Sequence, residues 1–381
     1  MHLTLGVDRL VNNDKIFRGK ALGLITNQTG INSDGIHIAD MLLAQGYDLR
    51  ALFAPEHGID GIAPDATSVE HSFDHGRGIK VFSIYNEWKA PTSEMLEGIE
   101  IMVVDLQDIG TRFYTYVSTI KLTAKVCAEA GIPMIIFDRP NPINGIDMEG
   151  PFIEPRFSSF VGHEHIPIRH GMTLGELMLF FNTMENINAD ITVLPLEGWD
   201  RTLYLDDHGL SFIPTSPSMQ NLETAISYVA TCFLEGTNLS EGRGTEYPFQ
   251  QFGAPFLNAR KVISLLNKMG LKGVSFKKTS FTPTENLYEN QSCHGIAIEV
   301  NRRVDFQPFE TGMRILEAIS ETHPEDFAWT SYPEVPGWPY IDYLTGTDKL
   351  RKKEISFTGL IYQGRQDAAT FAEMRQPFLL Y

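Results

Sequence analysis

Short, nearly uninterrupted apolar runs recur through the first half of the chain, each closed by polar or turn-forming residues. The run at 21–25 leads into Thr26-Asn27-Gln28-Thr29-Gly30, and the run at 51–54 into Pro55-Glu56-His57-Gly58. The run at 101–104 leads into Asp105-Leu106-Gln107-Asp108, and the run at 133–137 into Asp138-Arg139-Pro140. Residues 80–85 and 191–196 have the same character. Between them, 36–45 and 116–130 carry apolar residues at helical spacing, and Thr173-Leu174-Gly175-Glu176 is a capping-box pattern opening a helix to about 182. Strands without period-two alternation, separated by helices, predict an α/β fold whose mostly parallel sheet is covered on both faces. Beyond a turn-rich passage at 214–218 the pattern is less regular, with helices predicted near 259–269 and 312–320 and a strand at 295–300. This predicts a first domain over 1–222 and a smaller α+β domain over 223–381.

The chain has 381 residues, long for one average domain. With 43% hydrophobic and 21% charged residues it has the make-up of an ordinary globular protein. A net charge of −17 argues against nucleic acid and anionic membrane surfaces as partners. Three widely spaced cysteines, Cys127, Cys232 and Cys293, form no disulfide framework. No apolar stretch reaches the roughly 18–20 residues of a membrane span. The opening Met1-His2-Leu3-Thr4-Leu5-Gly6 lacks the pattern of a signal peptide. That points to the cytoplasm for the chain as given, or to the periplasm or outside if its start is a processed or recombinant one.

Proline supplies no amide donor, so the strand before Pro55 should stop there and place Glu56 and His57 at its carboxyl end. In open α/β sheets ligands bind at that edge. Asn27, Asp105, Gln107, Asp108, Asp138, Arg139 and Asn141 are predicted to converge on it, a mixture of carboxylates, amides and guanidinium suited to a sugar. Arg112, Tyr114 and Tyr116 add aromatic faces and a cation, and Arg169 with His170 precedes the capped helix as an anion site. The loop Glu235-Gly236-Thr237-Asn238-Leu239-Ser240-Glu241-Gly242-Arg243-Gly244-Thr245 lacks the lysine and spacing of a phosphate loop. It is read as a closing loop that brings Glu241 or Arg243 over the cleft. His163-Glu164-His165 and the pair His71 and His75, placed on one helix face, lack a third metal ligand at a recognised spacing. No dinucleotide fingerprint follows the first strand. No metal and no cofactor is therefore predicted.

Phe53-Ala54-Pro55-Glu56-His57-Gly58, the segment from Asp105 through Gly110-Thr111-Arg112-Phe113-Tyr114-Thr115-Tyr116, and Asp138-Arg139-Pro140-Asn141-Pro142 together resemble the exo-β-N-acetylmuramidase family. So do Pro167-Ile168-Arg169-His170-Gly171-Met172, the loop at 235–245, and the terminal Leu379-Leu380-Tyr381. The resemblance implies a Rossmann-like domain without a nucleotide, a smaller C-terminal domain, and a site between them. It further implies a bacterial peptidoglycan-recycling glycosidase that frees N-acetylmuramic acid from the non-reducing end of small saccharides. The family's catalytic glutamate maps onto Glu56, the expected general acid, with His57 and Asp108 tuning it. Asp105, Asp108, Glu241 or the substrate's own N-acetyl group supplies the second function. Arg169 is the first choice for reading the lactyl carboxylate, with Arg139 and Arg243 as alternatives. One departure is Ser216-Pro217-Ser218, where Ser-Pro-Asn is expected. The alternatives are a non-catalytic muropeptide-binding protein on the same fold and a metal-dependent hydrolase using the histidines.

Overall fold

A computed structural model describes residues 3–64, 67, 70–85, 89–162, 165–332 and 335–381. In chain order the first half runs α1 (Asp14–Phe17), β1 (Ala21–Thr26), α2 (Ile38–Ala44), β2 (Asp48–Ala54), β3 (Ser72–Asp74), β4 (Ile79–Ser83), β5 (Ile101–Asp105), α3 (Thr115–Ala130), β6 (Met134–Phe137), α4 (Leu174–Met184) and β7 (Ile191–Leu194). The strands form a seven-stranded sheet in the order β3-β4-β2-β1-β5-β6-β7, parallel except where β3 pairs antiparallel with β4. Successive strands leave β1 in opposite directions, β2 on one side and β5 on the other, so the switch point lies between Thr26 and its register partner Asp105. Such a point opens a crevice at the strands' carboxyl ends.

The apolar runs divide by side-chain parity. Leu22, Leu24, Leu52, Val103 and Ile135 pack into a cluster with Ile38 and Leu42 of α2. Ile25, Phe53, Met102, Val104 and Ile136 face a larger cluster with α3 and α4. Both faces of each strand are therefore apolar, and the runs show no alternation. Thr173 and Glu176 complete the capping box of α4 reciprocally.

The second half comprises α5 (Leu222–Thr231), β8 (Gln251–Ala254), α6 (Ala259–Lys268), β9 (Val274–Phe281), β10 (Cys293–Val300), α7 (Pro308–Thr322), the short hairpin β11 (Ser331–Tyr332) and β12 (Val335–Pro339), α8 (Tyr340–Thr345) and α9 (Phe357–Arg375). Its antiparallel sheet, β8-β10-β9, is backed by α5 and α6, and α7 packs on those two helices. The larger cluster continues across the junction, where Phe113 meets Tyr228 and Phe233 edge to face. Arg112 is completely buried and donates to the carbonyls of Pro151, Ile166 and Leu344, the last of these in α8. Arg375, at the end of α9, donates to Gly145 and Gly171 of the first half. Tyr381 donates its hydroxyl to Asp138 at 2.7 Å. All three cysteines are buried free thiols, and among the described residues no helix is long and apolar enough to cross a membrane.

His71 and His75 do not share a helix. They flank β3, with His71 Nδ1 accepting from the Ser83 amide and His75 edge-on to Phe73. His163 and Glu164 lie outside the described residues.

Arg139 clamps Asp105 through two bonds, Nε at 2.5 Å and Nη2 at 2.9 Å, and gives a third to the Ile31 carbonyl. Burial raises the Asp105 carboxyl and Arg139 opposes that rise. Arg139→Met therefore leaves a buried carboxylate uncompensated and should cost about 3–5 kcal/mol, part of which Asp105→Leu in the same chain restores. In the single variant the folded carboxyl titrates further above its unfolded value, so the native state takes up the proton first. The deficit is then greatest at neutral pH and shrinks as pH falls toward the ordinary carboxylate range, which urea unfolding at several pH values measures.

Candidate active site

β2 stops at Ala54, and Pro55 starts a tight turn closed by the Gly58 amide on the Pro55 carbonyl at 3.0 Å. His57 takes a left-handed backbone (φ 72°), uncommon for a residue with a side chain. Its Nδ1 lies 2.9 Å from the Ala63 carbonyl, so the ring is anchored by its own loop. Glu56 Oε2 accepts from the Thr115 hydroxyl at 2.5 Å. Thr115 is the first residue of α3, so the carboxylate stands at the amino end of a 16-residue helix, where an anion is favoured.

Glu56 and His57 line a cavity of about 340 Å³, within the range of small-ligand sites. The second half supplies the facing polar groups. Arg243 lies 2.6 Å from Glu235 and 3.0 Å from Glu241, with its guanidinium 4.7 Å over the Phe249 ring. Gly242 (φ 87°) permits this: a Cβ there would lie 2.9 Å from the Gln251 carbonyl oxygen and 3.0 Å from that of Tyr247. Tyr340, just after the short hairpin, bonds Glu235 at 3.3 Å. Tyr114 reaches the cavity and gives its hydroxyl to Thr215.

Of the expected contacts, Glu56, His57, Tyr114, Glu241 and Arg243 thus share one cavity. The others serve the protein itself. Asn27 is bonded to Thr29 and Tyr116, whose hydroxyl continues to the Thr215 carbonyl. Gln107 donates to the carbonyls of Asp108 and Pro140, and Asn141 to that of Met172. Asp138 accepts from Thr173, the Gly175 amide and Tyr381, and burial raises its carboxyl to about 6. Asp105 and Arg139 are spent on each other. Asp108 is buried, accepts from the Gly110 amide and lies 3.4 Å from His170. Arg112 ties the two halves together.

Arg169 is buried between Asp147 at 3.2 Å and Glu149 at 3.3 Å and donates to the Ile143 carbonyl. Burial pushes the Glu149 carboxyl up to about 7, with Arg169 opposing the rise. A guanidinium so enclosed holds its own loops together and does not line the cavity.

Sequence reasoning missed Glu235 as a functional group, together with Tyr85, Phe160, Phe249 and Tyr340. Tyr85 carried a usable signal, since it lies two positions beyond Ser83, the register partner of Ala54, as Glu56 lies two beyond Ala54. Tyr340 and Phe249 carried none. Ser216 lines the cavity, whereas Ser218, the departure noted above, is buried and does not.

Models of the N-terminal and C-terminal parts of exo-β-N-acetylmuramidase NamZ match residues 22–223 and 226–381. The chain belongs to the exo-β-N-acetylmuramidase NamZ family. It is a glycoside hydrolase. It is 39% identical over 99% of its length to peptidoglycan β-N-acetylmuramidase NamZ of Bacillus subtilis (strain 168), of which it covers 91%. Crystal structures of two DUF1343 family proteins from Bacteroides fragilis NCTC 9343 match all of this chain and 99% of theirs. Their TM-scores are 0.89 and 0.79, at 29% and 28% identity. In the NamZ family member described here, the turn bearing Glu56 falls in the first matched part, and the loop bearing Glu235 to Arg243 in the second.

Arg169→Met should lower stability by about 3–5 kcal/mol, because it strands the Glu149 carboxylate. Activity per folded molecule should keep the wild-type preference among glycosides. A selective loss on anionic sugars, with the melting temperature unchanged, would show that Arg169 contacts substrate after all.

Proposed function

We propose that this chain is an exo-acting glycosidase that releases N-acetylmuramic acid from the non-reducing end of peptidoglycan fragments such as the disaccharide with N-acetylglucosamine, in cell-wall recycling. The observation that carries this reading is the placement of Glu56, at the amino end of α3, in one cavity with Glu235 and Glu241. Two carboxyl groups flanking the bond are what glycoside hydrolysis commonly uses. The aromatic side chains of Tyr85, Phe113, Tyr114 and Tyr228 in the same wall offer apolar faces to a sugar ring.

In this reading Glu56 protonates the leaving oxygen as the glycosidic bond breaks, and Thr115 fixes the carboxyl orientation. His57, anchored through Nδ1, keeps its Nε2 directed away from Ala63 as a polar partner for Glu56 or substrate. Glu241, held by Arg243, is the protein carboxylate available for the second function. Asp105 and Asp108 are engaged in buried contacts. The substrate's own N-acetyl oxygen is the other route to the same step. Residues 1–222 carry the acid, and residues 223–381 complete the cleft as an auxiliary domain.

Glu56→Gln keeps the side chain's shape and removes the transferable proton. Turnover of an unactivated N-acetylmuramyl disaccharide should fall by about 10²–10⁴-fold with the melting temperature nearly unchanged. A variant retaining half or more of wild-type turnover would exclude Glu56 as the acid. A wild-type protein that binds the disaccharide without cleaving it would be a binding protein on this fold.

A further inference from the structure

A cavity that holds the terminal sugar of a chain must let the rest of that chain leave through its mouth. At about 340 Å³ the cavity lies near the lower end of small-ligand sites, so the remainder of a saccharide extends past its rim. Among the described residues that line it, only Asn286 and Leu287 are exposed, and Leu287 keeps 40% of its surface open. The other lining residues, from Glu56 to Tyr340, are buried or half-buried. The rim is therefore marked by one stretch of chain, the 282–292 connection between β9 and β10. A leucine on an open surface needs no ligand, but at the rim of a saccharide cavity it offers an apolar face to whatever projects from it.

That connection is fastened to the wall carrying Glu241 and Arg243. The Thr284 amide and hydroxyl both donate to the Gly244 carbonyl, at 3.0 and 2.9 Å. Gly244 (φ 72°) makes the approach possible, since a Cβ there would lie 2.8 Å from the amide nitrogens of both Thr284 and Glu285. The Tyr288 hydroxyl donates to the Asn238 carbonyl at 2.8 Å, and the Asn290 amide closes the connection on the Pro283 carbonyl at 2.8 Å. Asn286 takes a left-handed backbone (φ 60°), which asparagine tolerates better than most residues. Leu287 thus stands on a braced turn, held on either side by bonds to the loop that bears the facing carboxylates.

We propose that Leu287 is a specificity-determining residue for the leaving group: it packs on the apolar C–H face of the sugar next to the scissile bond, outside the cavity. The proposal rests on the muramidase reading above, in which the released sugar fills the cavity. It goes beyond that reading by placing the leaving sugar on the 282–292 connection. Leu287 takes no part in bond breaking. It favours a saccharide leaving group over one too small to reach the rim.

The test compares the disaccharide of N-acetylmuramic acid and N-acetylglucosamine with N-acetyl-β-muramyl fluoride, whose one-atom leaving group cannot reach the rim. Leu287→Ser should lower kcat/KM for the disaccharide by about 5–20-fold, mainly through KM, and change that for the fluoride by less than about two-fold. The melting temperature should not move, because the side chain is exposed. Leu287→Met keeps an apolar side chain of similar volume and should retain most of the disaccharide activity. Equal losses on both substrates, or no loss on either, would overturn the proposal. So would a loss that appears only when a peptide is attached to the lactyl group, which would make Leu287 a contact for the peptide stem. If wild type cleaves neither substrate, the muramidase reading itself fails, and this proposal with it.

Discussion

The buried ion pair between Asp105 and Arg139 is the interaction on which the sheet's functional edge depends. Asp105 ends β5 at the switch point, and Arg139 follows the end of β6. Their two-point clamp, with the third bond to Ile31 beyond β1, ties together the exits of three neighbouring strands. A buried pair of this kind adds little net stability over an apolar replacement, but either member left alone is costly. Its value here is geometric, since it fixes where the loops leave the sheet. Around it, Asn27, Gln107, Asp138 and Asn141 satisfy amides, hydroxyls and carbonyls of those same loops. The result is a rigid polar layer at the carboxyl edge.

That layer explains what was legible in the sequence and what was not. Parallel strands, their order of appearance, the helix cap at Thr173 and the stop at Pro55 follow from local chemistry, and all are found close to where they were expected. Glu56 and His57 stood out for the same reason, because a proline-terminated strand delivers them to the edge. Polarity at a strand end says nothing, however, about which way a side chain points. Arg169, and Arg139 as an alternative, read as substrate contacts, and both turn inward, because unpaired carbonyls and carboxylates of crossing loops need donors. The second half was harder. β9 spans Val274–Phe281 with exposed lysines, and α9 mixes its buried Leu360, Ile361, Gly364, Ala368 and Phe371 with polar residues throughout. Neither shows a clean apolar period.

The cavity's two walls differ in how they hold charge. On the sheet side, Glu56 is placed at a helix amino end by the Thr115 hydroxyl. On the opposite side, Glu235 and Glu241 share the Arg243 guanidinium.

For glycoside hydrolysis the separation of two carboxyl groups determines which mechanism operates. Of the carboxyl groups lining the cavity, Glu56 sits in the first half of the chain and Glu235 and Glu241 in the second, so their separation depends on the junction between the halves. Arg112 spans it with three carbonyls, Arg375 returns from α9 to Gly145 and Gly171, and Tyr381 bonds Asp138 beneath the sheet edge. Continuous apolar packing from Phe113 to Phe233 fills the space between. The junction is thus polar at its margins and apolar within. Arg112, which sequence reasoning assigned to substrate, is instead one of the groups that join the half bearing Glu56 to the half bearing Glu241.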